Sequence, residues 1–248
     1  MRLFTGTSGF AYKEWKGAFY PEELRNDDML SYYASQFRAC EINNSFYRIP
    51  AEKTLRQWTE QVPAEFKFVL KASQKITHFA RLKETARDAV AYFITTARSL
   101  GEQLGPILFQ LPPNMKADPA RLQAFLEYLP QDIRAAFEFR HASWFDDGVF
   151  EILRAKRAAL CVADTEDEQT PRVATTTDWG YLRLRRVVYT PADLEDWAAW
   201  LASQSWGEGF VFFKHEDAGT GPRLAKEFAE TFARTGVWEK PASPRVEA

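Results

Sequence analysis

Short apolar runs that stop on a polar or charged residue recur along this chain, and a segment of helical periodicity follows each of them. A first run opens the chain at residues 3–9, and seven more occupy residues 40–43, 68–71, 107–110, 137–140, 161–164, 181–185 and 211–214. Polar residues at the ends of so many buried strands indicate that the carboxyl ends meet at one place. This arrangement is typical of a (β/α)8 barrel with its site at those ends.

Helical spacing of apolar residues predicts seven helices between the runs, at residues 28–37, 52–62, 86–104, 119–128, 150–157, 191–203 and 222–235. Strands that alternate with helices require a parallel sheet, and eight strands favour closure over an open sheet. The first turn lacks the glycine-rich fingerprint of a dinucleotide fold. We therefore predict an α/β protein with a single barrel domain over residues 1–239, and a frayed tail over residues 240–248.

The bulk composition narrows the function classes without selecting one. The 248 residues match the usual size of one α/β barrel, and a net charge of −2 gives no general reason for binding nucleic acid or an anionic membrane. The first strand begins without a signal-peptide core, and no apolar stretch is long enough to cross a bilayer. We expect a cytoplasmic protein without a membrane partner, in which Cys40 and Cys161 are buried thiols.

Charged residues two positions apart on a strand share a face, so several pairs are expected to point into the barrel. The apolar residues between them, Ile42, Phe139 and Leu184, would then face the helices. The inward pairs are Glu41 with Asn43, Glu138 with Arg140, and Arg183 with Arg185. Buried charges are costly unless paired, so these side chains should contact one another.

Cations outnumber carboxylates at the predicted strand ends. Lys71, Arg140, Arg183, Arg185 and Lys214 stand against Glu41, Glu138 and Asp164. The surplus indicates a missing anion, either a phosphate or a carboxylate. The alternative is a purely structural ion network, which should be closer to balance.

A glycine-containing turn follows the eighth strand, at a place where such barrels often hold phosphate. The turn spans residues 217–222 and contains Gly219 and Gly221 directly before a helix. The alternative is an ordinary turn that needs no ligand.

The residue types at the strand ends suit acid–base chemistry. The candidate catalytic residues are Glu41, Lys71, Glu138, His141 and Asp164, with His78 as a further titratable group. A glycosidase is disfavoured because Gln110 and the Arg183/Arg185 pair stand where barrel glycosidases keep their carboxylates. Three histidines are too few for a multi-zinc site. No cofactor is predicted, although a single divalent metal on Glu41, Glu138 and Asp164 stays open.

Several sequence blocks carry a family resemblance. The opening block spans residues 6–21, with Gly6-Thr7-Ser8-Gly9-Phe10 and Phe19-Tyr20-Pro21, and a second spans residues 41–50. Further matches are Trp58, residues 63–68, 71–72, 76–78, 110–113 and 138–144, and Asp164. Together they resemble the YecE-like family, number seventy-two among the domains of unknown function. That resemblance implies a (β/α)8 barrel and no established activity.

Two positions depart from the pattern of that family and both add positive charge. Where the family usually has Arg-Leu-His-Gly, this chain has Arg183-Leu184-Arg185-Arg186, and where it usually has Phe-Asn-Asn, this chain has Phe213-Lys214-His215. The departures indicate either a more anionic ligand than in relatives or a lost ancestral activity.

Our leading hypothesis is an enzyme that acts on a phosphorylated or otherwise anionic small molecule. Glu41 and Glu138 would be the acid and base, and the cations would neutralise the anion. The residues expected to orient the ligand are Asn43, Tyr47, His78, Gln110 and Trp144.

Two rival hypotheses remain open at this stage. A nucleic-acid enzyme would stack bases on Phe10, Tyr12, Trp15 and Tyr20. A non-catalytic barrel would bind its ligand unchanged. The sequence determines neither the reaction nor the oligomeric state.

Overall fold

Eight parallel β-strands form the sheet of this protein, as described by a computed structural model for residues 1–166 and 173–237. The strands are β1 (Arg2–Thr7), β2 (Ala39–Ile42), β3 (Lys67–Lys71), β4 (Leu104–Gln110), β5 (Ala135–Glu138), β6 (Ala159–Asp164), β7 (Trp179–Leu184) and β8 (Glu208–Phe213). Each predicted apolar run therefore lies on a strand.

The strands follow one another around the barrel in chain order, with β1 also paired to β8. The remaining seam, between β1 and β2, is bridged in parallel by Ser8 and Glu41. The predicted (β/α)8 barrel is thus confirmed. Its closure brings the carboxyl ends of the strands around one mouth.

Helices cover the outside of the barrel. They are α1 (Met29–Gln36), α2 (Glu52–Thr59), α3 (Arg87–Ala97), α4 (Pro119–Glu127), α5 (Asp147–Ala155), α6 (Pro191–Ala202) and α7 (Thr220–Arg234). Asp118, Asp146 and Thr190 cap α4, α5 and α6 by accepting hydrogen bonds from first-turn amides. The described part of the β6–β7 connection contains no α-helix.

Three helix boundaries differ from the predicted ones for local reasons. The predicted helix 86–104 ends as α3 at Ala97, and a 3-10 segment with Gly101 at φ 56° leads into β4. Helix α5 starts at Asp147 because Asp146 supplies an N-cap that the apolar spacing alone did not indicate. Helix α7 starts at Thr220, since proline at position 222 is compatible with a first helical turn.

The core has two layers separated by the sheet. The inner layer fills the barrel and includes Phe4, Val69, Leu108, Tyr181 and Phe212, whereas a larger outer layer packs the helices on the strands. Ile42, Phe139 and Leu184 belong to the outer layer, as predicted. Cys40 and Cys161 are buried free thiols, also as predicted.

The aromatic segment between β1 and α1 is part of this core. Trp15 and Tyr20 are almost fully buried, and Tyr20 donates its hydroxyl hydrogen to the carbonyl oxygen of Phe10 at 2.5 Å. Phe10 and Tyr12 pack against the core and are only partly exposed. These rings cover the barrel and do not form an open platform for stacking bases.

None of the helices in the described ranges is long and apolar enough to cross a membrane. The cytoplasmic location stays a prediction. The expected tail at residues 240–248, together with residues 238–239, lies outside the described residues.

Candidate functional site

A buried arginine at the end of β7 joins two glutamates from opposite parts of the barrel. Arg183 donates from Nη2 to Oε1 of Glu41 at 2.8 Å and from Nη1 to Oε2 of Glu138 at 2.5 Å. All three side chains are buried, with exposed fractions of 0 to 2%. Burial opposes the charge of Arg183, but the two carboxylates outweigh it and raise the pKa of the guanidinium well above its usual value.

Glu41 is fixed by neighbours on β7 and at the end of β1. Its carboxylate accepts hydrogen bonds from the Ser8 hydroxyl and the Tyr181 hydroxyl, both at 2.6 Å, in addition to the bond from Arg183. The Oδ1 of Asn43 accepts a longer bond of 3.5 Å from Arg183. Because so many donors surround it, Glu41 holds Arg183 in one orientation.

Glu138 is surrounded by three arginines. Besides Arg183, Arg140 lies at 2.5 Å and Arg185 at 3.6 Å from its Oε1, and Gln110 donates to the same oxygen at 3.4 Å. Burial alone would raise the pKa of Glu138, but Arg183 and Arg140 outweigh it and hold the pKa below its usual value. Glu138 is therefore ionised at neutral pH.

These residues and Lys71 form one group, which we call the mouth cluster: Glu41, Lys71, Glu138, Arg140, Arg183 and Arg185. Four cations face two carboxylates, so the mouth cluster carries a net charge of +2 when Lys71 is protonated. The Nε atoms of Arg140 and Arg185 are buried and have no hydrogen-bond partner within the described ranges. The cluster thus has more donors and more positive charge than its own carboxylates satisfy.

Lys71 borders an aromatic wall formed by the connections after β2 and β3. Its Nζ lies 4.3 Å from the ring centroid of Phe46, and His78 stands edge-on to the same ring at 4.8 Å between centroids. Tyr47 packs on Phe46 and is largely exposed to solvent. His78 sits in a π-helical turn (Lys75–Phe79), a local irregularity often found at functional sites.

Both Lys71 and His78 have lowered pKa values. Burial and then Arg183 lower the pKa of Lys71 to about 8. Burial and then Lys71 lower the pKa of His78 below its usual value. His78 is therefore neutral at neutral pH, and its Nδ1 contacts the Thr77 hydroxyl at 2.9 Å.

Asp164 lies outside the mouth cluster, contrary to its expected place beside Glu41 and Glu138. It accepts hydrogen bonds from Arg186 Nε at 2.9 Å and from Trp197 Nε1 of α6 at 3.0 Å. The reason is strand parity: Leu160 and Val162 face the helices, and Asp164 is in phase with them. Arg186 also binds Asp193, so this second ion-pair group anchors α6 to the strand ends.

The side chains of Trp144 and His141 both make contacts that stabilise the local structure. Trp144 is fully buried, stacks on Phe139 with ring centroids 4.7 Å apart, and donates its indole hydrogen to the carbonyl oxygen of Met115. It therefore presents no surface to a ligand in the mouth. The Nδ1 of His141 accepts from the backbone amide of Ser143 and caps a short 3-10 turn.

The remaining predicted ligand contacts lie after β8. The Nζ of Lys214 lies 3.8 Å from Oε1 of Glu216. The positive charge of Lys214 also contributes to lowering the pKa of Lys71. Gly219 has φ 79°, a conformation that favours glycine, and a Cβ on Gly221 would lie 2.8 Å from the carbonyl oxygen of His215. Backbone geometry explains both glycines, and phosphate binding there stays a prediction.

The carboxylates are not arranged to hold a metal. Within residues 1–166 and 173–237, no group of three His, Cys, Asp or Glu side chains has the spacing of a metal site. Glu41 and Glu138 are both engaged by Arg183, and Asp164 is engaged by Arg186. The three carboxylates proposed for a divalent ion therefore do not come together.

Sequence reasoning missed Ser8, Tyr181 and Phe46 as parts of the site. Tyr181 precedes Arg183 by two residues and so shares its face, a signal that was available in the pattern. Ser8 meets Glu41 only because β1 and β2 close the barrel. That long-range register leaves no mark in the local sequence.

Comparisons with known proteins agree with this architecture. The family model described as "Protein of unknown function DUF72" matches residues 4–247. The chain is 25% identical to UPF0759 protein YunF of Bacillus subtilis (strain 168), over 92% of this chain and 94% of that protein.

Solved structures give the same fold. A DUF72 family protein from Thermotoga maritima superposes with a TM-score of 0.78 at 26% identity, covering 94% of this chain and all of that one. A xylose isomerase-like TIM barrel/4-hydroxyphenylpyruvate dioxygenase fusion protein matches at 10% identity and a TM-score of 0.51, over 97% of this chain and 46% of that one. This second likeness supports the barrel fold alone.

Proposed function

This chain belongs to the DUF72 family, and we propose that its barrel mouth binds a small anionic molecule and catalyses a reaction on it. The proposal is supported by the charge of the mouth cluster, in which cations exceed carboxylates at the carboxyl ends of the strands. Active sites of (β/α)8 barrels lie at that end.

One observation carries the proposal: the guanidinium groups of Arg140 and Arg185 have buried Nε atoms without hydrogen-bond partners in the described structure. An unsatisfied buried donor costs about 1–3 kcal/mol, and more when it is charged. A phosphate or carboxylate would satisfy these donors and neutralise the surplus charge. Arg140 and Arg185 are also partly exposed, so an anion that enters the mouth can reach them, whereas Arg183 is buried.

We infer that proton transfer involves residues other than the two glutamates first expected to perform it. Glu138 is held ionised by arginines, and Glu41 accepts from three donors, so both serve best to fix Arg183. Lys71 and His78 are the basic groups of this region with lowered pKa values: the pKa of Lys71 is about 8, and that of His78 is below its usual value. They are the proposed acid–base pair.

Thermal melts with inorganic phosphate, pyrophosphate and glycerol phosphate at fixed ionic strength test the anion site. A ligand at a hundred times its dissociation constant stabilises by about 2.7 kcal/mol, which for a chain of this size raises Tm by about 5–10 °C. We expect at least one of these anions to give such a shift, with chloride at the same ionic strength as the reference.

Two variants make the result specific. Arg185→Ala should abolish the shift, whereas Arg223→Ala, which removes an exposed partner of Glu227 on α7, should keep it. Equal shifts in both variants, or no shift with any of the anions, would reject the anion site.

A further inference from the structure

Lys71 has a fixed backbone and, among the described residues, an amine without an ionic partner. The hydroxyl oxygen of Ser45 lies 2.7 Å from the carbonyl oxygen of Lys71 and accepts from its amide at 3.0 Å, so the backbone is held on both sides. In the described part of the chain, no carboxylate lies within ion-pair distance of Nζ. Its Nζ instead lies over the face of Phe46, 4.3 Å from the ring centroid.

The absence of a partner follows from how the mouth cluster is built. Glu41 and Glu138 are the nearby carboxylates, and Arg183 occupies both. An amine placed here only for structure would be expected to take one of them, because a partly buried ammonium without an ionic partner is costly. Lys71 instead points between an aromatic face and a group of cations.

We propose that Lys71 is a nucleophilic amine that forms an imine with the carbonyl carbon of an anionic aldehyde or ketone, whose anionic group is held by Arg140 and Arg185. This inference rests on the proposed function and deepens it by naming the substrate class. Lysines in desolvated sites next to other cations are the ones used in this way.

The step balances without a further reagent. The lone pair of neutral Nζ attacks the carbonyl carbon, the C–O π bond opens, and one proton passes from nitrogen to oxygen to give a carbinolamine. The hydroxyl group then takes a second proton, from solvent or a neighbouring acid, and leaves as water. The product is a protonated imine whose cation would lie against the Phe46 ring.

The electrostatic surroundings supply the neutral amine that this step requires. Burial, Arg183 and Lys214 lower the pKa of Lys71 to about 8, against the opposing effect of Glu41 and Glu138. Roughly a tenth of the amine is then neutral at pH 7, compared with well under a thousandth for an ordinary lysine. His78, on the adjoining connection, is neutral and adds no opposing charge.

Reductive trapping of the intact protein tests the proposal. The protein is incubated near pH 7 with glycolaldehyde phosphate and sodium cyanoborohydride, which reduces an imine to a stable secondary amine, and the labelled lysines are identified by peptide mass spectrometry. We expect Lys71 to be labelled at least about tenfold faster than the exposed Lys53 and Lys75. Glycolaldehyde, which lacks the phosphate, should show much less preference for Lys71.

Three variants complete the design. Lys71→Arg should remove the fast label, Lys75→Arg should keep it, and Arg185→Ala should reduce the preference for the phosphorylated aldehyde. Labelling of Lys71 no faster than that of Lys53 in the wild-type protein would overturn the imine proposal, and this readout does not depend on a variant that folds. If phosphate still raises Tm in that case, the anion site stands alone, whereas loss of both signals rejects the proposed function as well.

Discussion

At the scale of single residues, the site is organised by competition for two carboxylates. Arg183 reaches both Glu41 and Glu138 and is almost fully buried, so its ion pairs are little screened by water. Arg140 and Arg185 approach Glu138 from the more exposed side. Among the residues that the structure describes, no carboxylate pairs with Lys71, and its lowered pKa makes it the cation of the mouth cluster that most readily loses its proton.

We predict that Lys71→Met stabilises the protein near neutral pH. The pKa of about 8 means that the folded state disfavours the ammonium relative to water, and methionine removes that cost while keeping the length of the side chain. The expected gain in the free energy of unfolding is about 1–3 kcal/mol, measured by urea denaturation. An unchanged or lower stability would show that Lys71 is satisfied where it lies.

The gain should depend on pH in a definite direction. Below pH 8 Lys71 is protonated in both the folded and the unfolded state, so the cost is fully present. Between pH 8 and about 10.4 the unfolded state binds more protons, and the stability of the wild-type protein rises relative to the variant. The difference between the two proteins should therefore shrink over that range.

Glu138→Gln serves as the comparison, and we expect it to lower the free energy of unfolding. That change leaves three arginines facing one remaining carboxylate and should cost about 3–5 kcal/mol. Glu227→Gln, in the exposed pair with Arg223, should cost about 0.5 kcal/mol or less.

At the scale of elements, strand parity explains what the sequence could and could not predict. Period-two alternation placed Glu41, Glu138 and Arg183 inside the barrel, since each lies within a regular strand, and Phe139, directly after β5, outside it. The same rule, applied to β6, would have placed Asp164 among the helices. The expected place of Asp164 beside Glu41 and Glu138 follows from its residue type alone, and strand phase overrides it.

The spacing of hydrophobic and polar residues does not predict features that depend on contacts between distant segments. The fit of Trp144 under its loop is set by Met115 and Phe139, which approach it only after folding. The same holds for the aromatic segment after β1, whose Trp15 and Tyr20 are buried. Aromatic residues in a loop indicate either a ligand wall or a lid over the core, and spacing alone does not distinguish them.

We predict that the close packing of β1 against β2 requires glycine at position 6. A Cβ added to Gly6 would lie 2.0 Å from the carbonyl oxygen of Ala39 and 2.6 Å from the hydroxyl of Tyr33. Gly6→Ala should therefore force β1 away from β2 and cost about 3 kcal/mol or more. Gly207→Ala, where the nearest atom is 3.9 Å away, is the matched control and should be nearly neutral in the same urea titration.

At the scale of the whole molecule, the charge of the barrel mouth is opposite in sign to the net charge of the chain. The chain has a net charge of −2, yet the mouth cluster concentrates a charge of +2 inside the ring of strand ends. A concave positive site on an acidic protein attracts a small anion, because a compact ligand enters the mouth and avoids the outer surface. A long polyanion would have to lie across that surface as well.

This contrast distinguishes the anion-binding proposal from the nucleic-acid hypothesis. Strand-binding proteins neutralise several phosphates along a groove, so their affinity falls by about 0.7 log units per contact for each tenfold increase in salt. They also stack bases on exposed rings, whereas Trp15 and Tyr20 are buried in this protein. We expect a fluorescently labelled single-stranded oligonucleotide to show no saturable anisotropy change at near-physiological salt, under conditions in which phosphate or pyrophosphate raises Tm. Tight binding with a slope that corresponds to four or more phosphate contacts would instead identify an extended cationic path, which the mouth cluster alone is too small to provide.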